Sequence, residues 1–376
     1  MNFTVPDKDL WTYLQQTEKN IVMYGMGNGA DKILAVCDSR GITVSDFFAS
    51  DGFVRGHSFH GKRVLSYSEV KEKYGSENII ILLSFASSRP EVLSLIRRVR
   101  SECELYAPDV PVCGEGLFDL AFFDQNRESL ERAYSLLADD ESRAIFENVI
   151  LYKLTGRTEY LDAAVSDKDT VYRELIGARS ISSYADLGAY NGDTVRELLG
   201  YADGLSRVYA MEPDRRSFRK LSEYVRTLDG ERIEVHAVNA AAWSERTTLC
   251  FGDEGNRNSG VCASGKGVRM TAVEADSLDG ILCGERVDYI KYDVEGAERE
   301  ALLGSEYTIH THEPVLLVSA YHRNEDIFAL PLLVHSLCPD YALYLRRYEY
   351  IPAWDLALIS VPRTILRSDM NDTVLA

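Results

Sequence analysis

The sequence has no long apolar run, no cysteine pair with CxxC spacing and no excess of positive charge. The longest clean aliphatic run is Ile79–Leu83, far short of the ~20 residues that cross a bilayer, so we expect no membrane span. Lysine and arginine number 41 against 59 aspartates and glutamates, which gives a formal charge of −18 over 376 residues. Phosphate recognition needs clustered Lys and Arg, so this balance argues against a nucleic-acid-binding protein.

Seven cysteines are scattered along the chain. An odd and unpaired set of this kind is typical of reduced thiols in a cytoplasmic protein. The stretch from Met1 to Lys8 lacks the basic and then apolar pattern of a secretory signal. We therefore expect a cytoplasmic location.

Three regions differ in their patterning. Residues 1–110 alternate apolar runs at 21–24, 42–48 and 79–83 with helical stretches, which predicts βαβ units and a small parallel sheet. Residues 111–180 contain few strand signals and are predicted to be a helical connector, with helices at 117–137, 141–154 and 168–176. Residues 181–376 return to the α/β alternation and are predicted to form a second α/β domain.

The C-terminal region carries seven predicted strands. The first five have helical stretches between them, as in a parallel sheet, whereas the last two leave no room for a crossover helix and predict an antiparallel hairpin. These strands are predicted at 183–187, 208–212, 233–237, 288–293, 315–320, 341–346 and 356–361.

A glycine loop follows the first of these C-terminal strands and opens a helix. It runs from Asp186 to Thr194 with the sequence DLGAYNGDT. Glycines let the backbone approach a ligand, and a helix N-terminus presents free N–H groups. Because an acid at the strand end would repel a phosphate, Asp186 suits a cationic or zwitterionic ligand. S-adenosylmethionine has this chemistry in its sulfonium and ammonium groups.

Polar and small residues follow the later strands of the same region. Glu212 ends the second strand about 20 residues after the loop, where an acid accepts hydrogen bonds from ribose hydroxyls. The third strand leads into Asn239 and Ala240, which would admit a flat adenine. Since ligands bind outside the carboxyl ends of parallel strands, we expect one crevice to hold these residues. The same crevice would contain Asp293, Glu295 and His322.

Six motifs occur in order along the C-terminal half: DLGAYNGDT at 186–194, YAMEPD at 209–214, VNAAAWS at 238–244, DSLDGIL at 276–282, IKYDVEGAE at 290–298 and SAYHRNED at 319–326. Together they resemble the FkbM family of S-adenosylmethionine-dependent methyltransferases. The resemblance implies a class I methyltransferase fold with a seven-stranded, mostly parallel sheet. It also implies O-methyl transfer onto a sugar, a glycan or a glycosylated metabolite, as in polysaccharide biosynthesis.

The resemblance implies roles for individual residues. The loop would hold the methionine part of the cofactor, Glu212 the ribose, and Asn239 and Ala240 the adenine. Asp293, Glu295 and His322 would face the acceptor, with His322 as the expected general base because its pKa is ordinarily near neutrality. The loop residues are Asp186, Gly188, Ala189, Tyr190, Asn191, Gly192, Asp193 and Thr194.

Three features stay open at this level. A divalent metal held by Asp293, Glu295 and Asp276 is chemically feasible, since carboxylates suit Mg²⁺, but it is not favoured. The segment Gly252–Gly267, rich in Gly, Asn and Ser, is predicted to be a mobile loop that takes part in acceptor choice. The sequence does not decide whether the protein is an oligomer.

A second glycine loop lies near the N-terminus. Gly25 to Ala30 fits GxGxxA, a weak dinucleotide fingerprint, and Asp51 follows about 20 residues later, at the ribose-binding spacing. This region resembles the Rossmann-like N-terminal domains of bacterial sugar-modifying acyltransferases and related polysaccharide proteins. That resemblance implies a nucleotide or sugar-nucleotide site. The alternative is a Rossmann-like scaffold whose loop is empty.

We therefore predict an S-adenosylmethionine-dependent O-methyltransferase with an N-terminal Rossmann-like domain and a helical connector. One alternative is a non-catalytic binding or assembly protein with a degenerate methyltransferase domain. The other is a bifunctional protein that also uses a nucleotide in its N-terminal region.

Overall fold

The computed structural model describes residues 1–51, 56, 58–228, 232–253 and 269–365. In this part of the chain two large β-sheets each have apolar clusters on both faces, and a helical segment joins them in the sequence. The apolar runs are the buried central strands, which confirms the α/β class. None of the helices described is both long and apolar enough to cross a membrane.

The N-terminal part is a small parallel sheet flanked by helices. Its strands are β1 (Asn20–Tyr24), β2 (Val44–Ala49), β3 (Ser58–Phe59), β4 (Lys62–Arg63), β5 (Leu65–Ser66), β6 (Ile79–Leu83) and β7 (Glu104–Tyr106). Its helices are α1 (Leu10–Gln16), α2 (Asn28–Ser39), α3 (Tyr67–Tyr74) and α4 (Pro90–Glu102). The spatial order is β5-β2-β1-β6-β7 with every pair parallel, and β3 and β4 form a separate hairpin.

The middle segment consists mainly of helices, most of them short. They are α5 (Leu120–Gln125), α6 (Arg127–Leu136), α7 (Asp140–Thr155), α8 (Glu159–Asp162) and α9 (Lys168–Thr170), followed by a π-helical turn at Val171–Leu175. The single helix predicted at 117–137 is wrong, because the non-helical backbone of Asn126 divides it. Asp139 begins α7 by accepting a hydrogen bond from the amide of Ser142 at 2.8 Å.

The C-terminal part is a seven-stranded sheet with an inserted small sheet. Its strands are β8 (Ser183–Leu187), β9 (Arg207–Met211), β10 (Glu234–Val238), β11 (Ala241–Ala242), β12 (Thr247–Asp253), β13 (Arg269–Asp276), β14 (Tyr289–Tyr292), β15 (Val315–Ser319), β16 (Tyr341–Arg347) and β17 (Leu356–Pro362). Its helices are α10 (Asp193–Leu198), α11 (Arg215–Val225), α12 (Leu278–Leu282), α13 (Glu298–Leu303), α14 (Glu306–His312) and α15 (Asp326–Leu337).

The order of this large sheet is β10-β9-β8-β14-β15-β17-β16. All neighbours are parallel except that β17 runs antiparallel to both β15 and β16. This is the class I methyltransferase arrangement, and the predicted final hairpin is its β16–β17 pair. The small sheet β11-β13-β12 was not predicted. In the sequence its strands lie between the third and fourth strands predicted for the large sheet, where no strand was expected.

One apolar cluster connects the two sheets. It contains Val22 and Ile81 from one face of the N-terminal sheet, Phe146 from α7, and Leu187 and Ile290 from one face of the C-terminal sheet. Helix α6 packs on α15, and α7 packs on β16. The helical segment is therefore part of the shared core and fixes the N-terminal sheet against the methyltransferase sheet.

Candidate functional site

A cleft of about 770 Å³ lies outside the carboxyl ends of β8, β9, β14 and β15. The topology requires this position, because β8 sits where the chain reverses its direction of travel across the sheet. Of the predicted site residues, those that line the cleft are Gly188, Tyr190, Asp193, Thr194, Glu212, Asp293, Glu295 and His322. The remaining predicted residues, Asp186, Ala189, Asn191, Gly192, Asn239 and Ala240, are not part of its wall.

Residues beneath the cleft set the backbone conformation of the glycine loop after β8. Asp186 is fully buried, its carboxylate accepts a hydrogen bond from the hydroxyl of Thr194, and burial raises its pKa. Gly188 has φ +89°, and a Cβ there would overlap the carbonyl oxygen of Asp293. Gly192 has φ +83°, precedes α10 and lies against the ring of Tyr224. These contacts set the loop backbone, so Asp186 lies beneath the cleft and supports its wall.

Glu212 joins the loop to the end of β9. One carboxylate oxygen accepts a hydrogen bond from the amide of Tyr190, and the other accepts one from the amide of Asp214, each at 2.8 Å. Burial raises the pKa of Glu212 to about 7. Tyr190 has a left-handed backbone with φ +46°, a strained conformation for a non-glycine residue that is frequent at functional sites.

In the segment predicted to bind adenine, the residues that line the cleft lie further along the chain than Asn239 and Ala240. The side-chain amide of Asn239 donates to the carbonyls of Glu212 at 2.8 Å and Pro213 at 3.1 Å, so this residue tethers the β9 turn. Ala240 is buried, and the cleft is lined by Ala241 and Ala242. Sequence patterning could not find this displacement, because it follows from the pairing of β11 with β13.

Three ionisable groups converge at the other end of the cleft. His322 is fully buried, and its Nε2 lies 3.5 Å from Oε2 of Glu295 and 3.7 Å from Oδ1 of Asp293. The other carboxylate oxygen of Asp293 pairs with Nζ of Lys291 at 2.9 Å. The structure therefore brings together the residues predicted to face the acceptor. Glu295 has φ +53°, a second strained position in the site.

The charges of this group are set by burial and by its neighbours. Burial opposes ionisation of Asp293, but Lys291 and His322 outweigh it and lower its pKa to about 2. Burial raises the pKa of Glu295 to about 7, against the opposing effect of His322. Burial alone would lower the pKa of His322, but Glu298, Glu295 and Asp293 outweigh it and raise that pKa to about 10. These shifts favour the imidazolium form of His322 at neutral pH, whereas the general base predicted from the sequence would need the neutral ring.

Residues outside the motifs complete the cleft. The loop between β16 and β17 contributes the aromatic residues Tyr348, Tyr350 and Trp354, and the N-terminal half contributes Ser88 and Val112. The aromatic richness of 348–354 was a usable sequence signal. The contributions of Ser88 and Val112 had none, because they depend on how the two sheets pack.

The N-terminal half is fastened to this end of the cleft. Ser87 and Ile351 exchange backbone hydrogen bonds at 2.9 and 3.0 Å, so the β6–α4 loop holds the aromatic hairpin loop. The amide of Cys113 donates to the carbonyl of His322 at 2.9 Å, and its thiol donates to the carbonyl of Glu295 at 3.0 Å. Residues 254–267 of the predicted mobile loop lie outside the described residues.

The acids considered for a metal do not meet. Asp276 is not part of the cleft wall, and one of its carboxylate oxygens accepts a hydrogen bond from the amide of Ser277 at 2.9 Å. A different buried group, Glu298, His322 and Asp326, has its nitrogen and oxygen atoms within 4.8 Å of one another, close enough for a metal site. Oε1 of Glu298 lies 2.9 Å from Nδ1 of His322, the distance of an ion pair when the imidazole is protonated.

Two of the three glycines of the N-terminal loop have a packing explanation, whereas Gly27, with φ +127°, has nothing within 4 Å of its Cβ position. A Cβ on Gly25 would press on the side chains of Ser84 and Phe85, and one on Gly29 would overlap the carbonyl of Ser84. Asp51, considered for a ribose, accepts hydrogen bonds from the amide and hydroxyl of Ser68. The contacts of Gly25, Gly29 and Asp51 fit the scaffold interpretation, and the open space beside Gly27 fits a bound ligand.

The comparisons with known proteins agree with this geometry. Residues 186–352 match the sequence model of the methyltransferase FkbM domain. The methyltransferase FkbM from Methylobacillus flagellatus KT has a similar structure, with 22% sequence identity, a TM-score of 0.68 and coverage of 91% of this chain and 90% of that one. No curated protein sequence matches the chain.

Two further solved structures are less similar. An rRNA methylase from Streptococcus thermophilus has 14% identity and a TM-score of 0.35, over 53% of this chain and 98% of that one. Fibrillarin from Aeropyrum pernix, in complex with natively bound S-adenosyl-L-methionine, has 12% identity and a TM-score of 0.33, over 51% and 74% of the two chains. The fold and the family match together show that residues 186–352 are similar to the methyltransferase FkbM domain.

Proposed function

We propose that the chain transfers a methyl group from S-adenosylmethionine to a hydroxyl of a sugar, a glycan or a glycosylated metabolite. The observation that carries the proposal is the convergence of three elements on one cleft. These are the glycine loop before α10, the acid after β9, and the acidic turn after β14 that faces His322. The first two suit a nucleoside with a cationic tail, and the third suits a hydroxyl that must lose a proton.

The cofactor would occupy the end of the cleft formed by β8 and β9. Glu212 would accept hydrogen bonds from the two ribose hydroxyls. These bonds would replace its present contacts with the amides of Tyr190 and Asp214. Ala241 and Ala242 leave room for a flat base between the β9 turn and the small sheet. Asp193 and the underlying Asp186 supply negative charge near the ammonium and sulfonium groups.

The acceptor would occupy the end formed by β14, β15 and the β16–β17 loop. The rings of Tyr350 and Trp354 lie 5.8 Å apart at 33° and offer apolar faces to a sugar ring. The carboxylates of Asp293 and Glu295 can accept hydrogen bonds from its hydroxyls. Ser88 and Val112 close this end, which gives the N-terminal half a role in acceptor recognition.

Alignment provides much of the catalysis in this scheme. Methyl transfer is an in-line displacement, and fixing its two reactants in one cleft removes a large part of the barrier. The hydroxyl oxygen gains the methyl group while its proton moves to a nearby base. Asp293 and Glu295 are the candidates for that base, and Nε2 of His322 lies within 3.7 Å of both carboxylates.

The test is label transfer from S-adenosyl[methyl-¹⁴C]methionine into a pool of oligosaccharides and glycosides, followed by mild alkali. We expect alkali-stable label, because a methyl ether resists conditions that hydrolyse a methyl ester. E295Q should abolish the label, and E245Q, at an exposed position, should not. A protein that binds S-adenosylhomocysteine yet labels no hydroxyl compound in broad pools would favour the non-catalytic alternative.

A further inference from the structure

Glu298 was not among the predicted site residues, yet it touches both halves of the acceptor end. Its Oε1 lies 2.9 Å from Nδ1 of His322, and the same oxygen accepts hydrogen bonds from the amides of Val294 at 3.0 Å and Gly296 at 3.4 Å. The side chain has no solvent exposure. One carboxylate therefore holds the imidazole and the turn that carries Glu295.

Three elements that pack on His322 bring carboxylates to it, and the segment of Cys113 contributes a thiol and an amide but no charge. Helix α13 contributes Glu298, the turn after β14 contributes Asp293 and Glu295, and the first residue of α15 is Asp326. The ring of Tyr321 lies 4.2 Å from the imidazole. Two cations lie nearby: Lys291 is paired with Asp293, and Arg323 donates through its Nε to the carbonyl of Gly296 at 2.9 Å. Four carboxylates around a buried ring stabilise the protonated imidazole and disfavour the neutral one.

We propose that Glu298 is a positioning residue that keeps His322 as a fixed imidazolium, so that Glu295 accepts the proton of the acceptor hydroxyl. This inference rests on the proposed methyl transfer and assigns the proton within it. His322 then acts by orienting and polarising Glu295 through the 3.5 Å contact of its Nε2, not by removing a proton.

The proposed step conserves both atoms and charge. The oxygen of the acceptor hydroxyl forms a bond to the methyl carbon while the sulfur–carbon bond breaks, and the sulfur keeps the electron pair. The hydroxyl proton passes to the carboxylate of Glu295 and from there to solvent through the open cleft. The sulfonium charge and the Glu295 charge disappear together, so the net charge of the site does not change. His322 remains protonated throughout.

The directions of the pKa shifts of His322 and Glu295 agree with this assignment. Burial opposes the charge on His322, but its acidic neighbours outweigh burial and raise its pKa to about 10. Burial raises the pKa of Glu295 to about 7, close to the value that suits a general base at neutral pH. The protonation states belong to the coupled group as a whole, and its geometry gives the proton to the imidazole first.

The experiment is a ¹⁵N NMR titration of the histidine side chains in the full-length protein, with H322Q used to assign the His322 signals. We expect both ring nitrogens of His322 to stay protonated above pH 8 in the unmodified protein. In E298Q, which keeps an acceptor oxygen for the two amides, we expect at least a tenfold loss of proton affinity. D279N is the matched control, because Asp279 also accepts two backbone hydrogen bonds, from Tyr307 and Thr308, but does not face His322. It should leave the His322 titration unchanged.

Several results would overturn the inference. If His322 loses its proton near pH 6.5 in the unmodified protein, the inference is overturned without any variant. This part of the test therefore does not depend on the folding of E298Q. A folded E298Q with an unchanged titration would remove the role of Glu298. Signals that show a metal-bound nitrogen, reversed by EDTA, would make the group a metal site instead. All of these outcomes are independent of S-adenosylhomocysteine binding, so failure of the inference is distinguishable from failure of the proposed function.

Discussion

Gly188 and the carbonyl oxygen of Asp293 lie so close that no Cβ fits between them. This contact joins the cofactor loop after β8 to the acceptor turn after β14. It places the two halves of the cleft in fixed register, and it explains a glycine that a ligand alone would not require. Gly284 has nearly the same backbone, with φ +90° against +89° at Gly188, but nothing lies within 4 Å of its Cβ position.

We predict that G188A severely destabilises the domain, whereas G284A has a small effect. Both variants place an alanine at positive φ, at a cost of roughly 1–2 kcal/mol, and only G188A adds the overlap with Asp293. Thermal unfolding followed by circular dichroism measures the difference. Equal melting temperatures for the two variants would show that the Gly188–Asp293 contact does not constrain the site.

The buried ion pair between Lys153 and Asp109 is predicted to be important for stability. The two side chains are 5% and 7% exposed, and their charged atoms lie 2.8 Å apart, between α7 and the chain that leaves β7. K153M leaves an uncompensated buried carboxylate and should lower the free energy of unfolding by about 3–5 kcal/mol. R127A, which breaks the exposed pair with Asp124, should change it by less than about 1 kcal/mol. Urea unfolding of both variants provides the comparison.

Binding of S-adenosylhomocysteine should depend on pH through Glu212. Its pKa is raised to about 7 by burial, so the carboxylate is ionised above that pH and protonated below it. Affinity should therefore increase as pH rises through about 7 and then level off, because the ionised form is the stronger acceptor for ribose hydroxyls. Calorimetry at several pH values measures this, and E212Q should remove the dependence. An affinity that falls with rising pH would contradict the ribose assignment.

Trp354 is predicted to affect the acceptor and not the cofactor. Once an acceptor is identified, W354A should raise its KM about tenfold, since one stacked ring contributes roughly 1 kcal/mol or more beyond simple burial. W354F keeps an aromatic face and should restore most of the loss. Binding of S-adenosylhomocysteine should be unchanged in both variants. If W354A weakens S-adenosylhomocysteine and acceptor equally, the two ends of the cleft have been assigned wrongly.

The general base is predicted to show itself in the pH dependence of methyl transfer. If Glu295 accepts the proton, kcat/KM should rise with pH through a midpoint near 7, where its raised pKa lies. If His322 were the base, activity would rise only as the imidazolium loses its proton, near pH 10. Measurement of kcat/KM from pH 5.5 to 10.5 separates these outcomes.

Much of the fold could be predicted because local patterns determine it. The strands 183–187 and 79–83 match β8 and β6 residue for residue, and all residues of both are buried. Only 79–83 is a continuous apolar run, as expected for a strand covered on both faces. The break at Asn126 and the β11–β13 sheet were missed. The first depends on a single backbone conformation, and the second depends on long-range strand pairing.

The candidate site was predicted in part for the same reason. Asp293, Glu295 and His322 lie after strands that the topology makes neighbours, so their convergence followed from the strand order. The raised pKa of His322 could not be predicted, because it depends on Glu298 and Asp326, which approach the ring from two different helices. The contributions of Ser88 and Trp354 arise from the packing of the N-terminal half on the hairpin loop.

Calorimetric titration of the full-length protein with S-adenosylhomocysteine, and separately with NADH, directly tests the proposal that the Asp186–Thr194 loop binds the methyl donor. We predict one-to-one binding of S-adenosylhomocysteine in the micromolar range. E212A should weaken it at least tenfold, as expected for loss of a charged hydrogen-bond acceptor, and E245A should not. Absence of S-adenosylhomocysteine binding, or binding of NADH alone, would contradict a cofactor site at the Asp186–Thr194 loop.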